Sequence, residues 1–176
     1  MCLCNNLSNK ERKVLEPELE EYVKGFDNLH KQIDSIMSFM SDEELNWSPI
    51  PNESNSPGII ITHLLGAESF RIHQLAGGID VKRDRDSEFT VQNYKIEELN
   101  KKLNTVSTLT NKILQSLKLN DLNRIHPSVR EYEKDESIRW HIIHTIEHFG
   151  LHLGHLTLTK QMYDNRHIFR KQNRKK

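Results

Sequence analysis

Between Trp140 and Leu156 the chain carries His141, His144, His148, His152 and His155, five imidazoles within fifteen residues. In a helix each residue turns about 100° around the axis, so His144, His148, His152 and His155 fall inside an arc of roughly 80°. Imidazole is the commonest metal-binding side chain, and an i, i+4 pair such as His148 and His152 can set two ring nitrogens on one ion. A third ligand from another helix completes a facial set of three and leaves a corner for water or substrate. His63 is the candidate, near the start of its own helix and on the core-facing side. His73 stands nearly three turns further along and points elsewhere. Three neutral ligands leave the full dipositive charge on the ion, which lowers the pKa of bound water toward about 7 or holds a thiolate. Zinc, nickel and manganese all accept imidazole, and ligand type does not choose among them. His144 and His155 complete the row; a donor behind a ligand, a proton shuttle and plain surface are their open roles. Glu147, about 60° from His144, is placed either to orient a ligand or to be solvated.

Helices have to bring these residues together. Pro17 suits a first helical position, where a missing N–H costs little. From there Leu19, Tyr22, Phe26, Leu29, Ile33, Ile36 and Met40 recur at spacings of three and four, a bundle seam. Asp42 to Trp47 leads out, and PIPNESNSPG is dense in turn formers. A second helix starts at Ser56 as N-cap and Pro57 as first residue. Ile60, Leu64, Ala67 and Phe70 line one side, and Gly77 with Gly78 stops it. GGIDVKRDRDSEFT reads as a charged loop. The third helix runs from about Ile96 to Leu117, followed by a mostly polar connection from Leu119 to Glu136. The last runs from about Ser137 to Tyr163 with a seam of Ile142, Ile146, Phe149, Leu153 and Leu156. His141, His148, His152 and His155 each precede a seam residue, so one face packs in the core and the adjacent face looks into a polar pocket. The fold class is all-α, an antiparallel four-helix bundle, and facing helices in such bundles commonly supply metal ligands to the interior.

Composition narrows the rest. The chain has 176 residues, 25 of them Lys or Arg and 25 Asp or Glu. That length suits one domain over residues 15–163, with a frayed tail over 1–14 and a basic tail over 164–176. The charge balance gives no general pull toward nucleic acid or anionic membrane, so neither is an expected partner. No apolar run approaches the roughly eighteen residues of a membrane helix. The opening MCLCNNLSNKERK lacks the apolar stretch of a secretory signal, and the expected setting is the cytoplasm. Cys2 and Cys4 form neither a CxxC motif nor a disulfide framework.

Two segments carry a family resemblance. NESNSPGIIITHLLGAESFRIHQLAGG has a histidine followed by leucine, an acidic residue five positions on and a closing double glycine. SIRWHIIHTIEHFGLHLGH has a tryptophan and then an H-x-x-x-H-x-G pattern. In this order and separation they resemble the DinB/YfiT-like superfamily of small helical bundles, over most of residues 10 to 163. The resemblance implies a divalent metal held by His63, His148 and His152, the set that spacing selects. His155 stands where many members have glutamine, and His144 matches a histidine of some members only. Family activities fall into thiol S-transfer with a low-molecular-weight thiol, related maleylpyruvate-isomerase-like chemistry, and metal-dependent hydrolysis. The expectation is a metal-dependent transferase or hydrolase acting on a small-molecule substrate. A non-catalytic metal-binding or stress-response bundle is the alternative, and family bundles often pair as homodimers.

Overall fold

The computed structural model describes residues 15–90, 93–126 and 135–167. Helix α1 spans Pro17–Met37, a short α2 Asp42–Leu45, α3 Pro57–Glu68, α4 Ile96–Ser116 and α5 Ile138–Asp164. Helix α3 continues without a break as a π-helix over Ser69–Ala76, and short 3₁₀ turns lie at Asp86–Phe89 and Leu119–Asn123. The cysteines and residues 168–176 of the basic tail lie outside the described residues, as does Pro127 in the connection before α5.

The expected starts are local chemistry. Ser56 accepts the Ile59 N–H ahead of Pro57, and Ser137 accepts the Trp140 N–H, each satisfying a donor that the first helical turn leaves free. Ser41 and Glu44 form a reciprocal capping box, so the exit from α1 is itself a helical turn rather than plain loop. Gly78 takes φ 70° just past the end of the π-helix, a conformation that glycine adopts without strain.

Side-chain pairings fix the directions of the helices. Glu18 and Arg139 join the starts of α1 and α5. Tyr94, just before α4, covers Gly58 at the start of α3, and Ile113 near the end of α4 covers Gly77. The bundle is therefore all-α with two helices in each direction: α1 and α5 run one way, α3 and α4 the other. Helices α3 and α4 are consecutive long elements and still run parallel. Their connection must travel back along the outside of the bundle, about 32 Å for a 21-residue helix, and a chain of this length reaches that far.

Two apolar clusters fill the interior. One gathers Ile33, Leu64, Leu103 and Phe149, the other Leu19, Ile72, Leu114 and Ile142. A buried polar layer lies between them. His30 Nε2 is 3.0 Å from both oxygens of Glu68, Thr110 donates to Glu68, and His73 Nε2 is 3.0 Å from the Thr110 hydroxyl. Phe26 meets Phe149 edge-on beside it, with ring centroids 6.4 Å apart, a geometry worth about 1 kcal/mol beyond burial. Among the described residues no helix is long and apolar enough to cross a membrane.

Candidate metal centre

His63 lies on α3 six residues after Pro57, and His148 and His152 lie one turn apart on α5. Because α3 and α5 run in opposite directions and pack together, residues 85 positions apart in sequence meet. His63 Nε2 stands 3.1 Å from His148 Nε2. One ring nitrogen from each of His63, His148 and His152 lies within 4.8 Å of the other two. The rings stand edge to face, with centroids 5.0 Å apart for His63 and His148 and 4.5 Å for His148 and His152.

The tautomer of His63 follows from its other nitrogen. Nδ1 is 2.9 Å from Glu88 Oε2, and a carboxylate only accepts, so Nδ1 carries the proton. Nε2 is then the ring atom turned toward His148. Glu88 is held in turn by Arg83, whose Nε and Nη2 donate to its two oxygens at 2.6 and 2.8 Å. Burial pushes the Glu88 carboxyl upward, but the hydrogen bonds from His63 and Arg83 outweigh it and hold the group below the usual carboxylate range. Burial drives the His148 imidazole down to about 3, with His152, His63 and Arg71 adding repulsion. The same cause takes His152 down to about 4. Both rings are therefore neutral near pH 7, with lone pairs to offer.

These residues fit a divalent ion. Two nitrogens about 2.0–2.1 Å from a tetrahedral centre stand about 3.3 Å apart, close to the His63–His148 separation. A carboxylate on the far nitrogen of a ligating histidine is the usual support for such a ring. Space for that carboxylate comes from Gly66: a Cβ there would overlap the Glu88 carboxylate.

A cleft of about 430 Å³ opens beside His63 and His148, and His144 also lines it. The His144 ring stacks on Trp140 with centroids 4.6 Å apart and planes 6° from parallel. Its Nδ1 is 4.0 Å from Glu147. His155 is exposed, 3.5 Å from His152 through the Nδ1 atoms, and lines no part of the cleft. His141, fully buried, turns into the core instead of joining the row. His73 is spent on Thr110 in the polar layer. Glu68, the acidic residue five positions after His63, also belongs to that layer.

The loop before α4 supplies what the pattern of histidines did not indicate. Arg83, Arg85, Glu88 and Phe89 all come from it, and the Phe89 ring packs 5.0 Å from that of His63. Gly66, a lone glycine inside a helix, is the sequence signal for a close approach there. The connection 119–136 is described at residues 119–126 and 135–136. Its described part packs beside the start of α5, through Arg139 to Asn123 and Arg124 to the Ala76 carbonyl, and none of it lines the cleft.

Fold and site together define a DinB-like helical bundle with a three-histidine set compatible with metal binding. The sequence profile of the family described as "Protein of unknown function (DUF1572)" matches residues 14–170, and the chain belongs to that family. The DinB/YfiT-like resemblance read from the two segments holds. A DinB-like protein from Bacillus cereus is 15% identical, with a TM-score of 0.67 over 82% of this chain and 92% of that one. A conserved protein from Enterococcus faecalis is 14% identical, with a TM-score of 0.65 over 82% and 95%. At such identities these two structures speak for the fold alone. No curated protein matches the chain.

Proposed function

We propose that the chain is a metal-dependent enzyme that transfers a thiol to, or hydrolyses, a small-molecule substrate, with the ion held by His63, His148 and His152. Zinc is the first choice of ion, with nickel and manganese as alternatives. The observation that carries the reading is the convergence of His63 with the α5 pair. When bound, a dipositive ion supplies the charge that lowers the pKa of a thiol or a water and makes it a nucleophile near pH 7.

The protein's own residues do the rest. Glu88 keeps the His63 proton on Nδ1 and fixes the ring plane. Arg83 holds Glu88 in place. Burial keeps His148 and His152 neutral. Trp140 sets the His144 ring on the cleft wall, where a substrate entering beside His63 and His148 would meet it. Among the described residues the mutually reachable set has three donors and no fourth. That favours an open, catalytic centre over a closed structural one, and so favours the enzyme over the non-catalytic bundle. A cytoplasmic setting belongs to the same reading. So does pairing of two copies, supported by the exposed Ile143, Leu151 and Leu158 on α5 and checked by light scattering.

The test is elemental analysis of freshly purified wild type beside His63→Ala and His148→Ala. About one equivalent of metal in wild type and little in either variant is expected; equal content in all three ends the proposal. Turnover then separates the two chemistries. Thiol-dependent consumption of monochlorobimane that is lost in His148→Ala favours the transferase, and thiol-free cleavage of esters or amides favours the hydrolase.

A further inference from the structure

We propose that the cleft beside the histidine set is built for an anionic group, a carboxylate or a phosphate, with Arg85 and Arg83 as its contacts. The proposal rests on the reading of the set as a metal centre and names the substrate class that reading leaves open.

Charge distribution is the first argument. The chain as a whole has a formal net charge of zero. The cleft wall does not share that balance: it is lined by His63, His144 and His148 together with Arg71, Arg83 and Arg85, and among the described residues by no carboxylate. Guanidinium groups stay charged at any pH the protein meets. Glu88 lies behind the wall, where His63 and Arg83 share it. Among the described residues one carboxylate thus stands beside the two guanidiniums of Arg83 and Arg85. Gathering like charge around a concave surface is unfavourable in the empty protein, and an anion in the cleft relieves it.

Geometry is the second. Glu88 engages Nε and Nη2 of Arg83 and so fixes the plane of the fork, while Nη1 is not engaged among the described residues. A guanidinium clamped on one edge offers its other edge with little further loss of side-chain freedom. Arg85 is exposed and makes no ion pair among the described residues; its guanidinium lies 5.1 Å from the centroid of the Phe89 ring. Phe89 packs on His63, so Arg85 is carried against the same histidine that Arg83 supports through Glu88. Arg71 follows His63 by eight residues, is 3% exposed and lines the same cleft from within the bundle. A volume of about 430 Å³ suits a small organic acid or a phosphorylated metabolite rather than a polymer.

Isothermal titration of the full chain, with and without one equivalent of zinc, tests this with orthophosphate, succinate and the uncharged succinamide as probes. Wild type should bind at least one of the two anions and not succinamide; the tighter anion identifies which group the cleft takes. Arg85→Gln should weaken that binding about tenfold or more, the usual loss when a hydrogen bond to a charged group is removed. Lys24→Gln, the same change of charge on the exposed face of α1, should leave it unaltered. Anion affinity that is equal in wild type and Arg85→Gln, succinamide binding as well as succinate, or no anion binding by wild type would each overturn the proposal. Zinc content is measured on the same samples. Zinc retained with anion binding indifferent to Arg85 removes this proposal alone. Zinc absent from wild type with the Arg85 effect present removes the metal reading alone.

Discussion

His148 sits between two demands: its ring is buried among other imidazoles, and its lone pair has to stay available. Burial and the neighbouring rings take it to about 3, and His152 to about 4, against an ordinary value of 6.5. Burial also lowers His73 in the polar layer. A histidine whose folded-state pKa is depressed binds its proton more readily once the chain unfolds. Its contribution to stability is therefore complete above about pH 6.5 and is lost as the pH falls toward the folded-state values. The urea midpoint of metal-free protein should drop between about pH 7 and about pH 4.5, and His148→Gln should flatten part of that slope. A midpoint constant over the range would show that the rings are not held neutral by burial. Glu88 lies on the other side of His63. Glu88→Gln keeps an acceptor for the Nδ1 proton but loses the charge that orients the ring and the two-pronged contact with Arg83. Metal affinity, measured by competition with a chromophoric chelator, should fall by about 10- to 100-fold. A change of less than threefold would make Glu88 a bystander.

Helix α3 carries the site at the level of elements, and Gly66 is its pressure point. The loop from Gly78 to Lys95 has to return along the bundle because α3 and α4 run parallel, and it crosses α3 where no side chain stands in its way. In Gly66→Ala a methyl group would meet the Glu88 carboxylate, the movable partner in that contact. The expected result is a folded protein, with unchanged far-ultraviolet circular dichroism, whose metal affinity drops toward that of Glu88→Gln. Wild-type affinity in Gly66→Ala would mean that the loop does not hold Glu88 on His63. This element also marks where the sequence could be read and where it could not. Ser56–Pro57 and Ser137 are local signals, and the helices begin there. The seam from Leu19 to Ile33 and the seam of α5 follow from periodicity alone. His63 was within reach as well, because it shares a face with apolar neighbours in a helix of known start. The π-helical run at Ser69–Ala76 has no local signature, since the same residues would suit an α-helix. Arg83, Glu88 and Phe89 were out of reach for a different reason. Their place depends on the path of a loop, and that path depends on the relative direction of two helices, which is a property of the packed bundle.

For the whole molecule, the histidine set is a tie between α3 and α5, placed beside the apolar cluster of Leu64 and Phe149, which a polar layer separates from the other. Apolar contacts along these helices tolerate small shifts, whereas His30, Glu68 and Thr110 have partners only at one level of the bundle. That layer fixes the height at which α1, α3 and α4 meet; α5 gives it no hydrogen bond among the described residues and packs Phe149 against it. A cation shared by His63, His148 and His152 would lock α5 to α3 in the same register. Because the set is assembled only in the folded chain, any ion that binds there stabilises the fold by mass action. At free zinc about 100 times the dissociation constant the gain is about 2.7 kcal/mol, which for a domain of this size raises the melting temperature by roughly 5 to 10 °C. Calorimetry on metal-free protein with zinc added back should show that rise. His63→Ala should show none, although it leaves both α5 histidines in place and each can still meet zinc alone. An equal rise in His63→Ala would mean that α5 binds the ion by itself and that no tie between the helices exists.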